Sequence, residues 1–143
     1  MTQLHTRGNT AQLKNQWMQE LGRQGEAFVA GYYRDRGYRI IDMNVRYRCG
    51  EIDVIAQDVD NTVVFIEVKT RTTNDFGGVE SVDHRKLRKL RAAATEWLRS
   101  RPWVECRFDV VALTVMGHHV GLGGEKHWLF NVDSYQGVEC GAA

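Results

Sequence analysis

Asp53, Glu67 and Lys69 are the residues of this chain whose type and place demand a chemical reason. They stand inside two otherwise apolar runs, Gly50-Glu51-Ile52-Asp53-Val54-Ile55 and Val63-Val64-Phe65-Ile66-Glu67-Val68-Lys69-Thr70. Ionised side chains in such runs are costly unless paired, hydrogen-bonded or bound to a metal. Two carboxylates brought close repel each other unless something positive lies between them. Oxygen ligands of this kind suit Mg²⁺ or Mn²⁺, which take one or two carboxylates and leave their other positions to water and phosphate. A lysine beside them has the chemistry to orient or help deprotonate a water, or to neutralise the charge that builds on a phosphodiester under attack. The competing reading is a salt bridge, with Lys69 paired to Glu67 or Glu51 on the solvated face of an antiparallel sheet. The run Val63, Val64, Phe65, Ile66 and Val68 makes both strand faces apolar and weighs against it.

Positioning these groups is the work of strands. Tyr38 to about Tyr47, Glu51 to Gln57 and Thr62 to Thr70 are rich in β-branched and aromatic residues and read as three strands. Asp58-Val59-Asp60-Asn61 joins the last two as a hairpin, and Asn61 tolerates the left-handed conformation such a turn needs. Residues two apart share a face, so Glu67 goes with Lys69 and Glu51 with Asp53. If Asp58 and Thr62 flank a three-residue turn, an unbulged ladder sets Asp53 opposite Glu67 and Glu51 opposite Lys69. A two-residue Asp60-Asn61 turn sets Asp53 opposite Val68 instead, so a shared site needs an odd loop or a bulge.

Upstream, Leu13, Trp17 and Leu21, then Phe28, Val29, Tyr32 and Tyr33, give a helical pattern from about Leu13, with Gly22 and Gly25 as points of division and Gly37 as C-cap. Downstream, residues 71 to 80 form a loop beside the site. Asp83 caps a second helix with Leu87, Leu90, Ala94, Trp97 and Leu98 on its apolar face and Pro102 beyond its end. Arg107 to Met116 is a fourth strand and His127 to Val132 a short fifth. The order is that of a mixed α/β layer domain.

Between Glu80 and Arg101 there are seven Lys or Arg against three acids, a local basic surface in a chain whose net charge is only +1. Arg46, Arg48 and Arg71 at the ends of the site strands, and Arg85, Lys86, Lys89 and Arg91 on the second helix, are placed to hold nucleic-acid phosphates. Such binding is salt-dependent and largely sequence-independent. Their plain alternative is a solvated helix face. Asp109 interrupts the fourth strand and reads as a support residue or a strand-end salt bridge. His118 and His119 point to opposite sides of an extended strand, so with His127 they read as structural or surface residues. Cys49 adjoins the site in sequence, with nothing to activate it.

The 143 residues, 43% hydrophobic and 26% charged with one proline, suit a globular protein able to bury a core without staples. We expect one domain over residues 13–135, a mobile N-terminal arm over 1–12 and a tail over 136–143. No run is apolar enough to cross a membrane, and the N-terminus lacks a signal-peptide core, so the expected location is the cytoplasm. Cys49, Cys106 and Cys140 are odd in number without a CxxC pair, which points to reduced thiols.

At Asp53, Glu67 and Lys69 the chain resembles the restriction-endonuclease-like nuclease superfamily, whose loose signature is an acid, a spacer, then Asp or Glu, any residue and Lys. Together with Gly25-Glu26, Gly50-Glu51-Ile52-Asp53 and Phe65-Ile66-Glu67-Val68-Lys69-Thr70-Arg71, it resembles the bacterial YraN family, a distant relative of archaeal Holliday-junction resolvases. The similarity covers about residues 20 to 116. It implies an αβββαβ core with a central mixed sheet flanked by helices, Asp53 and Glu67 as ligands of Mg or Mn, and Lys69 as the catalytic lysine. Glu26 is implied as a further site residue, and Glu51 adds a carboxylate that leaves the ligand set open. The activity implied is endonucleolytic hydrolysis of nucleic acid, with branched or structured DNA the first candidate, by a protein that acts as a homodimer. A non-catalytic nucleic-acid-binding module on the same fold, and a plain interaction domain, are the alternatives.

Overall fold

The chain opens in one long helix, α1 (Thr2–Asp35). Gly37, at φ 90°, ends it: Gly37 N–H donates to Arg34 O and Tyr38 N–H to Tyr33 O, each at 3.0 Å, the paired bonds of a glycine C-cap. The computed structural model describes residues 2–72 and 84–138. Two expectations are corrected here. The polar stretch read as an arm forms the first turns of α1, and the helix is not divided at Gly22 or Gly25. No proline interrupts this stretch, and the ~1 kcal/mol that a helical glycine costs is offset where the helix packs on the sheet. Full burial begins at Leu21, which with Val29, Ala30 and Tyr33 is buried; residues 10–20 are exposed, although Trp17 meets Trp128 of the sheet edge-on.

β1 (Arg39–Tyr47), β2 (Gly50–Gln57) and β3 (Val63–Arg71) follow as an antiparallel meander. A crossover through α2 (His84–Leu98) then leads to β4 (Cys106–Val120), parallel to β3, and β5 (Lys126–Tyr135) closes the sheet antiparallel to β4. The strand order is β1-β2-β3-β4-β5, a mixed sheet with the expected αβββαβ series and one strand more. β4 and β5 both outrun their sequence-based limits, carried through a bulge between Val115 and Gly117. The loop read over residues 71 to 80 and the Asp83 cap lie largely outside the described residues.

Each sheet face has its own core. Val29 and Tyr33 of α1 pack with Val54, Ala56, Val64, Ile66, Val111 and Leu113. Leu87, Leu90, Ala93, Ala94 and Trp97 of α2 pack with Ile52, Ile55, Val63, Phe65 and Val110 on the other side. This explains the continuous apolar runs of β2 and β3: a strand covered on both faces alternates between two cores instead of between core and water.

Two glycines let the helices down onto the sheet. A Cβ on Gly25 would collide with Thr70 Oγ1 and crowd Leu113, and a Cβ on Gly50 would collide with the Lys89 carbonyl. Close backbone approach of this kind is open only to glycine. The first contact fixes α1 against β3, and the second fixes α2 against the β1–β2 turn.

At the far side of the α1 layer, Asp109 is fully buried and satisfied. It accepts from Tyr33 Oη at 2.7 Å, from Arg107 Nε at 3.1 Å and Nη2 at 3.2 Å, and from Gly137 N at 3.0 Å. Its partner is therefore a strand neighbour, Arg107, and the group ties α1, β4 and the segment after β5 together.

Candidate active site

The β2–β3 turn meets the geometric condition. Asp58 N–H donates to Thr62 O at 2.9 Å, so Val59, Asp60 and Asn61 make a three-residue turn, and Asn61 takes φ 72°. The ladder then runs Gln57↔Val63, Ala56↔Val64, Ile55↔Phe65 and Val54↔Ile66, and one more step of this register sets Asp53 against Glu67.

At that step the sheet opens. Met43 and Val54 belong to the α1-side core, but Val45, Tyr47 and Ile52 belong to the α2-side core. Regular pleating puts residues two apart on one side, so both strands of the β1–β2 pair change faces here. The change falls at Asn44, whose φ is 54°, and at the facing Asp53. The β2–β3 ladder stops at Val54↔Ile66, and the Asp53 carboxylate takes over from backbone: its Oδ2 accepts the Val68 N–H at 2.8 Å.

The Asp53 and Glu67 carboxyls stand close enough for each to act on the other's ionisation. Burial, then the Asp53 charge, pushes Glu67 up to about 8, with Lys86 and Lys69 pulling the other way. Burial raises Asp53 as well, against the Val68 N–H bond that favours its ionised form. Glu26, the residue after the wedge at Gly25, is held above the usual carboxylate range by burial and by Asp53, with Asn44 and Arg46 pulling the other way. Carboxylates whose ionisation burial and mutual repulsion disfavour mark a place prepared for positive charge.

These groups line a cleft of about 490 Å³, with Glu26, Glu51, Asp53 and Glu67 facing Arg48, Lys86 and Lys89. Lys86 Nζ stands 3.8 Å from Glu67 Oε1. Glu51 is exposed and lies 3.9 Å from Arg46 Nε across β1–β2, and the β2–β3 ladder ends at Val54↔Ile66, before it reaches Glu51 and Lys69. Of the other cations proposed from sequence, Arg85 and Arg91 are exposed but do not line the cleft, and Arg71 is only 6% exposed. Lys69 does not line the cleft either, although its charge reaches Glu67. Sequence reasoning passed over Asn44; its signal was an asparagine, tolerant of positive φ, within a strand.

A divalent cation fits this donor set in a restricted sense. Among the described residues no group of three or more His, Cys, Asp or Glu side chains closes on one point, so a protein-only cage is not formed there. An ion would rest on Asp53 and Glu67 and complete its shell with water and phosphate, the usual manner of Mg²⁺. Elsewhere, His119 stacks on His127 and His118 meets Trp128 edge-on, on opposite sides of the β4–β5 hairpin, and Cys49 and Cys106 are free. No helix among the described residues is long and apolar enough to cross a membrane.

The fold and cleft thus define a mixed α/β domain whose sheet opens at an acidic pair walled by cations. The chain belongs to the UPF0102 (YraN) family: residues 25–113 match the model of "Uncharacterised protein family UPF0102". It is 47% identical to a UPF0102 protein of Corynebacterium efficiens over 124 residues, 87% of this chain and 95% of that one. It is 45% identical to one of Prosthecochloris aestuarii over 105 residues, covering 71% and 82%. The matched span runs from the Gly25 wedge to Leu113, and so holds every carboxylate of the cleft.

Proposed function

We propose that the protein is a divalent-cation-dependent endonuclease that hydrolyses phosphodiester bonds in nucleic acid, with branched or structured DNA as its first substrate class. The observation that carries this reading is the Asp53–Glu67 carboxylate pair in a cleft also lined by Lys86, Lys89 and Arg48, with Lys86 Nζ 3.8 Å from Glu67 Oε1. A phosphodiester brings its own negative charge, so it needs the cations of that wall. The carboxylates need a cation of their own.

Asp53 and Glu67 would hold Mg²⁺ or Mn²⁺, which supplies electrostatic stabilisation of the phosphorane-like transition state and a lowered water pKa. Lys86 and Lys89 bind the backbone of the incoming strand. Glu26, kept above the usual carboxylate range, lines the cleft as an acceptor for a water proton. Water adds across the P–O3′ bond: its oxygen joins phosphorus, the P–O3′ bond breaks, and the 3′ oxygen leaves with a proton. The products are a 5′-phosphate and a 3′-hydroxyl.

The test is incubation of the protein with labelled four-way junction, flap, single-stranded DNA and RNA in Mg²⁺ or Mn²⁺, with Glu67→Gln beside it. Cleavage by the wild type that Glu67→Gln abolishes is the expected result. Cleavage persisting in the variant would place the chemistry elsewhere. Binding without cleavage would make the protein a binding module.

A further inference from the structure

The spacing Glu67-Val68-Lys69 assigns the site lysine to β3, but the cleft is built with a different one. Lys86 of α2 lines it and stands 3.8 Å from Glu67 Oε1. Lys69 lies one strand step beyond the pair, beside Ala112 of β4, and is not among the described residues that line the cleft. Glu67 follows Phe65 on the α2 side of β3, and Lys69 shares that face but stands two residues further along, away from the Lys86 contact.

Exposure points the same way. The Lys86 side chain is 51% exposed and that of Glu67 15%, so the ammonium stands between the buried carboxylate and the solvent from which a phosphate arrives. Its position is fixed by packing. Leu87 and Leu90 are buried in the α2-side core, and the missing Cβ of Gly50 allows the Lys89 backbone to seat against the β1–β2 turn. One helical turn thus carries Lys86 and Lys89 on the flank that looks into the cleft.

We propose that Lys86, rather than Lys69, supplies the ammonium that meets the attacked phosphate at the Asp53–Glu67 pair. The proposal rests on the phosphodiester reading above. Lys86 donates a hydrogen bond to a non-bridging phosphate oxygen and strengthens it as negative charge builds there; its proton stays on nitrogen throughout, and it forms no covalent bond. Gly50 is the positioning residue that sets α2 at the height this contact requires.

Lys86→Met, Lys86→Arg and Lys69→Met are compared with the wild type in two readouts. One is single-turnover cleavage of the labelled substrate panel in Mn²⁺. The other is fluorescence-anisotropy binding of the same substrates in EDTA across a salt series. Lys86→Met is expected to cut on the order of 100-fold more slowly, the scale of losing one transition-state donor. Its binding should weaken with a salt slope smaller by about 1, as for a lost phosphate contact. Lys86→Arg should restore the salt slope, and Lys69→Met should lose less than Lys86→Met in both readouts. Thermal melts are recorded for each variant, and Lys86→Gln replaces Lys86→Met if the latter melts early. Equal losses in both lysine variants, or the larger loss in Lys69→Met, overturn the assignment and leave the nuclease reading standing. A wild type that neither binds nor cuts any of the substrates overturns that reading, and this one with it.

Discussion

Glu67 has two possible partners for its charge, a proton or a cation, and the choice depends on pH. Its carboxyl is raised from an ordinary 4.5 to about 8, so between those values the folded chain holds a proton that the unfolded chain has released. Stability contributed by that proton is present below the lower value and is lost as pH rises through the window. In EDTA the Tm should therefore fall from pH 5 to pH 8, and Glu67→Gln should flatten the decline. Added Mg²⁺ or Mn²⁺ competes with the proton, so the Tm increase it produces should be larger at pH 8 than at pH 6. A Tm increase of the same size in Glu67→Gln would remove this carboxylate from the ion's ligands. The residue types of the pair were legible from sequence because charge in an apolar run has few explanations. The Lys86 contact was not, since it depends on how far α2 descends, which no local pattern encodes.

The helices are placed by what they lack. Gly25 and Gly22 sit one turn apart in α1, yet a Cβ on Gly25 strikes Thr70 and one on Gly22 meets nothing within 4 Å. Gly22→Ala should thus stabilise the protein by ~0.5–1 kcal/mol through helix propensity. Gly25→Ala should destabilise it by about 1–3 kcal/mol through overpacking. Urea denaturation of the two variants checks the opposite signs, and a stabilising Gly25→Ala would mean that α1 rides higher on β3 than described. Both glycines look alike in sequence, where they read as breaks. The β2–β3 turn was half legible: Asn61 marked a left-handed position, but two- and three-residue loops both stayed open, and the three-residue loop found here carries the register of Asp53 with it. The face change at Asn44 escaped detection because strand alternation was assumed to continue.

Across the whole molecule, α1, β4 and the segment after β5 are tied by one buried polar group. Asp109 joins Tyr33 of α1, Arg107 of β4 and Gly137 after β5, and stands on β4 beside Ile66, the residue before Glu67. Removing one partner of a buried pair strands the other charge. Asp109→Ala should cost about 3–5 kcal/mol, and Tyr33→Phe, which removes only a hydroxyl, about 1–3 kcal/mol. Denaturation midpoints measure both, and equal small effects would show that water replaces the network. The αβββαβ order was legible because each element has its own period and its own stop. The length of α1 was not, because the polar residues of its first turns carry almost no apolar signature.

Where β2 parts from β3, an amide of the sheet is held by a side chain instead of by the neighbouring strand. Val68 N–H therefore belongs at once to the backbone scaffold and to the acidic pair. Any cation that draws on Asp53 weakens the oxygen this amide donates to. Its proton chemical shift and hydrogen-exchange rate become a built-in gauge of site occupancy, readable by NMR without substrate or turnover.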